Sequence, residues 1–200
     1  PLRLPYVEYF SAFLRDTENR IFQGVRGSLV SRLIELKEIK GTHLTFDSSN
    51  IPVKIKKNNL KTSIQDRFNK NKRPKGDPES RLIIMVHFSK PFQKVIKYFW
   101  GYGNFVLSDA LSELPITEKT KPANVVDSKV IIFQLELAKV KFDHNICGVI
   151  ADTGLYSAKV LNFLICDLKA APYIARNLTR EKGHKTSPTS NWICLVEFKM

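Results

Sequence analysis

Apolar side chains recur near helical spacing from about Tyr6 to Phe22, at Phe10, Phe13, Leu14, Ile21 and Phe22. A clearer stripe runs from Ser28 to Ile39 through Leu29, Val30, Leu33, Ile34 and Leu36 and stops near Gly41. Together they predict a helical lead-in over residues 1–41. His43-Leu44-Thr45-Phe46 then reads as a short strand that delivers Asp47 at its end. Residues 50–76 break the pattern and read as a long basic loop, with a short helix around Ile64. Four extended stretches follow, at 82–86, 94–99, 104–107 and 114–120, the last two joined by a turn over 109–113. A helix is predicted from Val126 to Lys141, with Asp127 or Ser128 as its N-cap and Val130, Ile131, Leu135 and Ala138 on one face. Cys147–Ala151 is a buried-type strand ending at Asp152, Ser157 caps a helix through Leu168, and 172–175 is a last strand before a basic polar tail. Strands that give way to alternating helix and strand indicate a mixed α/β sheet.

Charge narrows the class of partner. The 200 residues carry 32 Lys or Arg against 19 Asp or Glu, a formal net charge of +13. Such a surplus suits a polyanion, either nucleic acid or an anionic membrane. No apolar run approaches the roughly 20 residues needed to span a bilayer, and no signal peptide is visible. Nucleic acid is the partner this favours. Much of the surplus sits in the loop over 50–76, where Lys54, Lys56, Lys57, Lys61, Arg67, Lys72, Arg73 and Lys75 are candidates for phosphate contact. Cys147, Cys166 and Cys194 form no CxxC pair and read as small buried side chains in a reducing cytosol; the four histidines show no zinc spacing. Pro1 and the stop at Met200, soon after an apolar run, read as cuts in a longer chain.

Two aspartates at the ends of neighbouring strands, Asp47 and Asp152, could share a divalent metal, because hard carboxylate oxygens suit Mg²⁺ or Mn²⁺. An Asp after a strand also commonly caps the next turn, and spacing alone leaves both roles open.

The ordered blocks around these residues add a family resemblance. Leu44-Thr45-Phe46-Asp47-Ser48-Ser49-Asn50-Ile51-Pro52 resembles the first catalytic block of insertion-sequence DDE transposases. Asp77-Pro78-Glu79-Ser80-Arg81, Gly101-Tyr102-Gly103-Asn104 with Asp109, and Leu114-Pro115-Ile116 with Pro122-Ala123-Asn124-Val125-Val126-Asp127-Ser128 resemble further blocks, in order. Ile150-Ala151-Asp152-Thr153-Gly154 is similar to the second acidic block, and Pro172-Tyr173-Ile174-Ala175-Arg176-Asn177 to the strand after it. The chain departs from the family at Gly103, Phe105, Val126 and Leu155-Tyr156.

The resemblance implies a ribonuclease H-like α/β core over 42–177: a mixed sheet flanked by helices, after the short helical lead-in and before a basic tail at 178–200. It implies a two-metal Mg²⁺ or Mn²⁺ site held by Asp47, Asp152 and a third acid, with Asp127 capping a helix rather than binding metal. Arg180 stands where the third acid is expected; the resemblance leaves either Glu197 in the tail or a third acid that is lost or lies beyond this sequence. The implied activity is strand cleavage at transposon ends, then attack of the freed 3′-hydroxyl on target DNA. The implied protein is cytoplasmic and nucleoid-associated, with a homodimer allowed. Two other functions stay open: a catalytically inactive DNA-binding remnant, and a ribonuclease H-like structure-specific nuclease.

Overall fold

The computed structural model describes residues 6–175 apart from 60, 70, 91 and 92. The tail, with Glu197 and Cys194, lies outside them. The chain separates after Lys40 into two compact units.

The first unit is a pair of helices, α1 (Val7–Asp16) and α2 (Asn19–Glu35). The predicted helix boundaries are corrected here. Thr17 and Glu18 are extended, at φ/ψ of −88/127 and −61/136, so the first helix stops at Asp16 and the second starts well before Ser28. Thr is β-branched and costs a helix some χ1 freedom, which makes it a cheap place to interrupt one. The Phe13 ring meets the edge of Phe22 across the break, at 5.9 Å between centroids. Lys37, at φ 63, ends α2 in the left-handed conformation common at helix C-termini.

The second unit is a mixed six-stranded sheet with helices against it. Its strands are β1 (His43–Pro52), β2 (Arg81–Lys90), β3 (Gln93–Asp109), β4 (Pro115–Pro122), β5 (Gly148–Ala151) and β6 (Ala171–Ile174). A first helix, α3 (Ile64–Phe68), lies in the basic segment; α4 (Asp127–Phe142) links β4 to β5, and α5 (Ala158–Asn162) with a π-turn over Phe163–Asp167 links β5 to β6. The path across the sheet is β2-β3-β1-β5-β6, with β4 also on β3. The ladders of β3 with β1, β2 and β4 are antiparallel; those of β5 with β1 and β6 are parallel.

Three strand expectations change. β1 is ten residues long, so Asp47 lies inside it rather than at its end, and β1 is flanked on both sides by β3 and β5. Its polar second half, Ser48 to Pro52, is held by the ladder to Phe105–Gly101 and not by burial. The predicted strands at 94–99 and 104–107 are one strand, β3. Its first half pairs with β2 and its second half with β1 and β4. Gly101 sits where these ladders meet, and a Cβ there would stand 2.1 Å from the Ile51 carbonyl oxygen. A glycine that reads as a strand breaker is here the residue that lets β1 come close.

The core follows the pleat. Leu44, Phe46, Phe105, Leu107 and Val149 are buried, as are Val130, Ile131, Leu135 and Ala138 of α4, the predicted face. Gln134 of α4 donates to the Phe105 carbonyl at 3.0 Å, which fixes the helix over β3. Cys147 and Cys166 are exposed free thiols, not the buried side chains expected. Cys147 precedes β5 with its Sγ towards the Asn145 carbonyl, and so escapes the alternation that buries Val149.

Candidate acidic site and basic segment

The β1–β5 ladder brings the two expected aspartates together. Phe46 stands opposite Ala151, and Asp47 and Asp152 are the next residues along each chain, Asp152 just past the end of β5. Neighbouring strands are about 4.8 Å apart. Asp47 is exposed, and its Oδ1 accepts the Ser48 N–H at 2.8 Å. Asp152 is extended and caps the short 3₁₀ turn Thr153–Leu155, its Oδ1 accepting the Gly154 N–H at 2.8 Å. Each carboxylate thus keeps its outer oxygen directions free of this local bond while the backbone fixes its position.

Asp127 is a third member that sequence reasoning assigned elsewhere. The expected side-chain cap of α4 is absent: Val126 occupies the N-cap position with no side-chain cap bond. Asp127 lies in the first turn and accepts a hydrogen bond from the Ser48 hydroxyl at 2.9 Å, across 79 residues of chain. Burial pushes its carboxyl above the ordinary aspartate value; the Ser48 hydroxyl pulls back, and the negative charges of Asp152 and Asp47 add to the rise. The helix N-terminus favours an anion there, yet burial and like charge prevail. The signal that could have revealed this contact is Ser48 itself. It is a polar residue in phase with buried Leu44 and Phe46, on the side of the sheet that faces α4.

The same alternation sets a limit. Asp47 leaves β1 on the side opposite Phe46, whereas Asp127 approaches with α4 on the Phe46 side. Among the described residues, no three His, Cys, Asp or Glu side chains are gathered closely enough to hold a metal ion. Two carboxylates remain next to the Phe46–Ala151 pair, with a third close enough to feel their charge.

The basic segment leaves β1 at Pro52, beyond Asp47, and is folded rather than loose. A 3₁₀ turn (Lys56–Asn58) and α3 give it structure. Asn58 Nδ2 donates to the carbonyls of Val53 and Trp100, at 2.7 and 2.8 Å, while its Oδ1 accepts the Trp100 N–H at 2.8 Å. The Trp100 indole donates to the Arg67 carbonyl at 2.7 Å, and Lys57 Nζ lies 4.3 Å from the indole centroid. Lys54, Lys56, Lys61, Lys72, Arg73 and Lys75 are exposed, whereas Lys57 and Arg67 are half-buried within the segment's own packing. At its far end Tyr102 donates to Asp77 at 2.7 Å, and this bond with burial pushes the phenol up to about 12. Arg81 donates to the carbonyls of Pro78, Glu79 and Ser80, closing the turn into β2.

No family model matches this chain, and no curated protein matches it. Among solved structures it is similar to a piggyBac transposase, seen by cryo-EM in a synaptic complex with hairpin DNA, at 13% identity and a TM-score of 0.41. The match covers 91% of this chain and 36% of that one, so the chain spans about a third of its length.

Proposed function

We propose that this chain is the catalytic core of a DDE-type DNA transposase built on a ribonuclease H-like sheet, cleaving DNA with a divalent metal and joining the freed 3′ end to a target. One observation carries the reading: Asp47 and Asp152 directly follow Phe46 and Ala151, the last paired residues of adjacent parallel strands, with Asp127 tied to the residue after Asp47. The order β4-β3-β1-β5-β6, antiparallel on one side of β1 and parallel on the other, supports the fold half of it. The donor set suits the metal. All three groups are hard oxygen donors, and Mg²⁺ is commonly held by one or two carboxylates with water and substrate phosphate completing the shell. Asp47 and Asp152 would hold the ion, which would supply a nucleophile at neutral pH and charge stabilisation at the phosphate. Asp127, locked by Ser48, keeps a further negative charge beside them. The exposed cations of the basic segment, which leaves β1 beyond Asp47, would hold the DNA backbone.

The test is Mg²⁺- or Mn²⁺-dependent nicking and joining of DNA by this chain and by Asp152→Ala. The variant is expected to lose at least about a thousandfold, as metal-held phosphoryl chemistry loses its clamp. Equal rates would remove the reading. A second reading, a DNA-binding chain that does not cleave, is favoured by the lack of three gathered carboxylates among the described residues. It predicts DNA binding with no metal-dependent product from either protein.

A further inference from the structure

β2 and the first half of β3 form a two-stranded ribbon, paired from Arg81↔Gly101 to Lys90↔Gln93. Among the described residues no third strand pairs with β2 or with residues 93–100. At about 3.4 Å per residue the ribbon is about 30 Å long. It is braced on both sides: the Phe68 ring lies 4.5 Å from that of Tyr98, and Asn50 Nδ2 donates to Met85 Sδ at 3.6 Å. Apolar side chains nevertheless stay open to solvent on both faces. Ile84, Ile96 and Tyr98 leave one face and Met85 the other, and all four are 36% to 45% exposed. A hairpin with a single core face would bury one of these sets.

We propose that the ribbon is an arm that lies in a groove of duplex DNA, an inference that rests on the reading of this chain as a protein acting on DNA. Charge selects the partner. Residues 81–100 include Arg81, Lys90, Lys94 and Lys97 and no Asp or Glu. Together with the basic segment before them, residues 54–100 hold 13 Lys or Arg and 3 Asp or Glu, a net +10 of the chain's +13. A surface of one sign repels a second copy of itself and attracts phosphate. Shape agrees with charge. The major groove of B-DNA, about 12 Å wide, admits a two-stranded ribbon, and about 30 Å of ribbon follows nearly one helical turn. Ile84, Ile96 and Tyr98 then meet base edges and thymine methyl groups. Lys97, exposed on the other face, reaches the phosphates of the groove wall with its long stem.

Fluorescence anisotropy of the full chain on a duplex of about three helical turns, without divalent metal, tests this. Ile84→Glu with Ile96→Glu is expected to weaken binding at least about tenfold, and Ile84→Lys with Ile96→Lys to bind at least as tightly as the native chain. Leu111→Glu with Val140→Glu makes the same charge change at residues 65% and 84% exposed elsewhere, and is expected to cost less than about twofold. Hydroxyl-radical footprints of the native chain are expected to extend about one helical turn beyond those of the ribbon Glu pair. A Glu pair on the ribbon that weakens binding no more than the pair elsewhere would overturn the proposal. So would equal losses from the Glu and Lys pairs, or footprints of equal length. Since no metal is present, a chain that passes these tests and never nicks DNA removes the cleavage reading alone. One that nicks DNA with no effect of the ribbon removes this inference alone.

Discussion

Asp127 is the residue whose chemistry differs most from its sequence context. A carboxylate at the start of a helix is ordinarily stabilised there. Here burial, with Asp152 and Asp47 close by, raises its pKa despite the Ser48 hydroxyl. A raised folded-state value means a contribution that favours folding below the unfolded pKa of about 3.9 and is lost as pH rises through the folded one. Ionised Asp127 therefore strains the protein at neutral pH. Asp127→Asn keeps an acceptor for Ser48 and is expected to raise the melting temperature at pH 7, with the gain vanishing near pH 3.5. It is also expected to reduce the stabilisation that added Mg²⁺ or Mn²⁺ gives the native chain. A fall in melting temperature at pH 7 would mean that the charge is compensated. Such a trade of stability for a poised charge is common at functional sites.

Among the elements, the basic segment and β3 depend most on their neighbours. The segment is a sequence of cations with weak periodicity, yet it folds because Asn58 reproduces backbone hydrogen bonds with Val53 and Trp100. Its cations then divide into exposed ones and the packed Lys57 and Arg67. Neutralising Lys54, Lys56, Lys72 and Arg73 is expected to weaken DNA binding across all sequences and to reduce the salt slope by up to about 0.9 for each phosphate no longer neutralised. Lys57→Gln is expected to act through stability instead, since it removes the cation from Trp100 at a cost of about 0.5–2 kcal/mol. Fluorescence titrations at several salt concentrations, beside thermal melts, separate the two. A salt slope unchanged by the fourfold substitution would mean that the segment does not touch phosphate. By contrast α4 was legible in advance: Val130, Ile131, Leu135 and Ala138 keep the helical period and are the residues buried.

At the scale of the whole molecule, the second unit is closed at one end by a buried polar cluster. Asp109, at the end of β3, is fully buried and accepts from Gly41 N–H at 2.8 Å, from Ser112 N–H and hydroxyl at 2.9 and 3.0 Å, and from Leu111 N–H. Burial alone would raise its carboxyl, but these donors together hold it below the usual value. His144 packs against Gly41, whose φ of +64 and missing Cβ make room for the imidazole. Burial lowers the His144 pKa, while Asp109 and Asp143 pull it back up. Both shifts give stability that acid removes. The His144 part is present above about pH 6.5 and lost as pH falls through its folded value; the Asp109 part begins to go below about pH 3.9. Thermal melts are expected to show the melting temperature falling between pH 6.5 and 5, and His144→Gln to flatten that limb while leaving the steeper loss below pH 4. A native curve flat to pH 5 would show that the imidazole is solvated. Among the described residues no helix is long and apolar enough to cross a membrane.

By itself the sequence determined the local elements and the chemistry they offer. Hydrophobic period marks α4, β5 and β6; the one-signed cation run marks 50–76; apolar runs ahead of Asp47 and Asp152 mark the candidate acids. These are properties of near neighbours along the chain. What only the tertiary structure decided is whatever rests on partners distant in sequence. The β1–β5 register put Asp47 and Asp152 each one residue beyond the Phe46–Ala151 pair, and a hydroxyl 79 residues away drew Asp127 from its expected capping role. The ladders to β1, β2 and β4 made one strand of the two stretches expected at 94–99 and 104–107. Local propensities differ by about 1 kcal/mol or less per residue, so a ladder or a buried hydrogen bond overrides them.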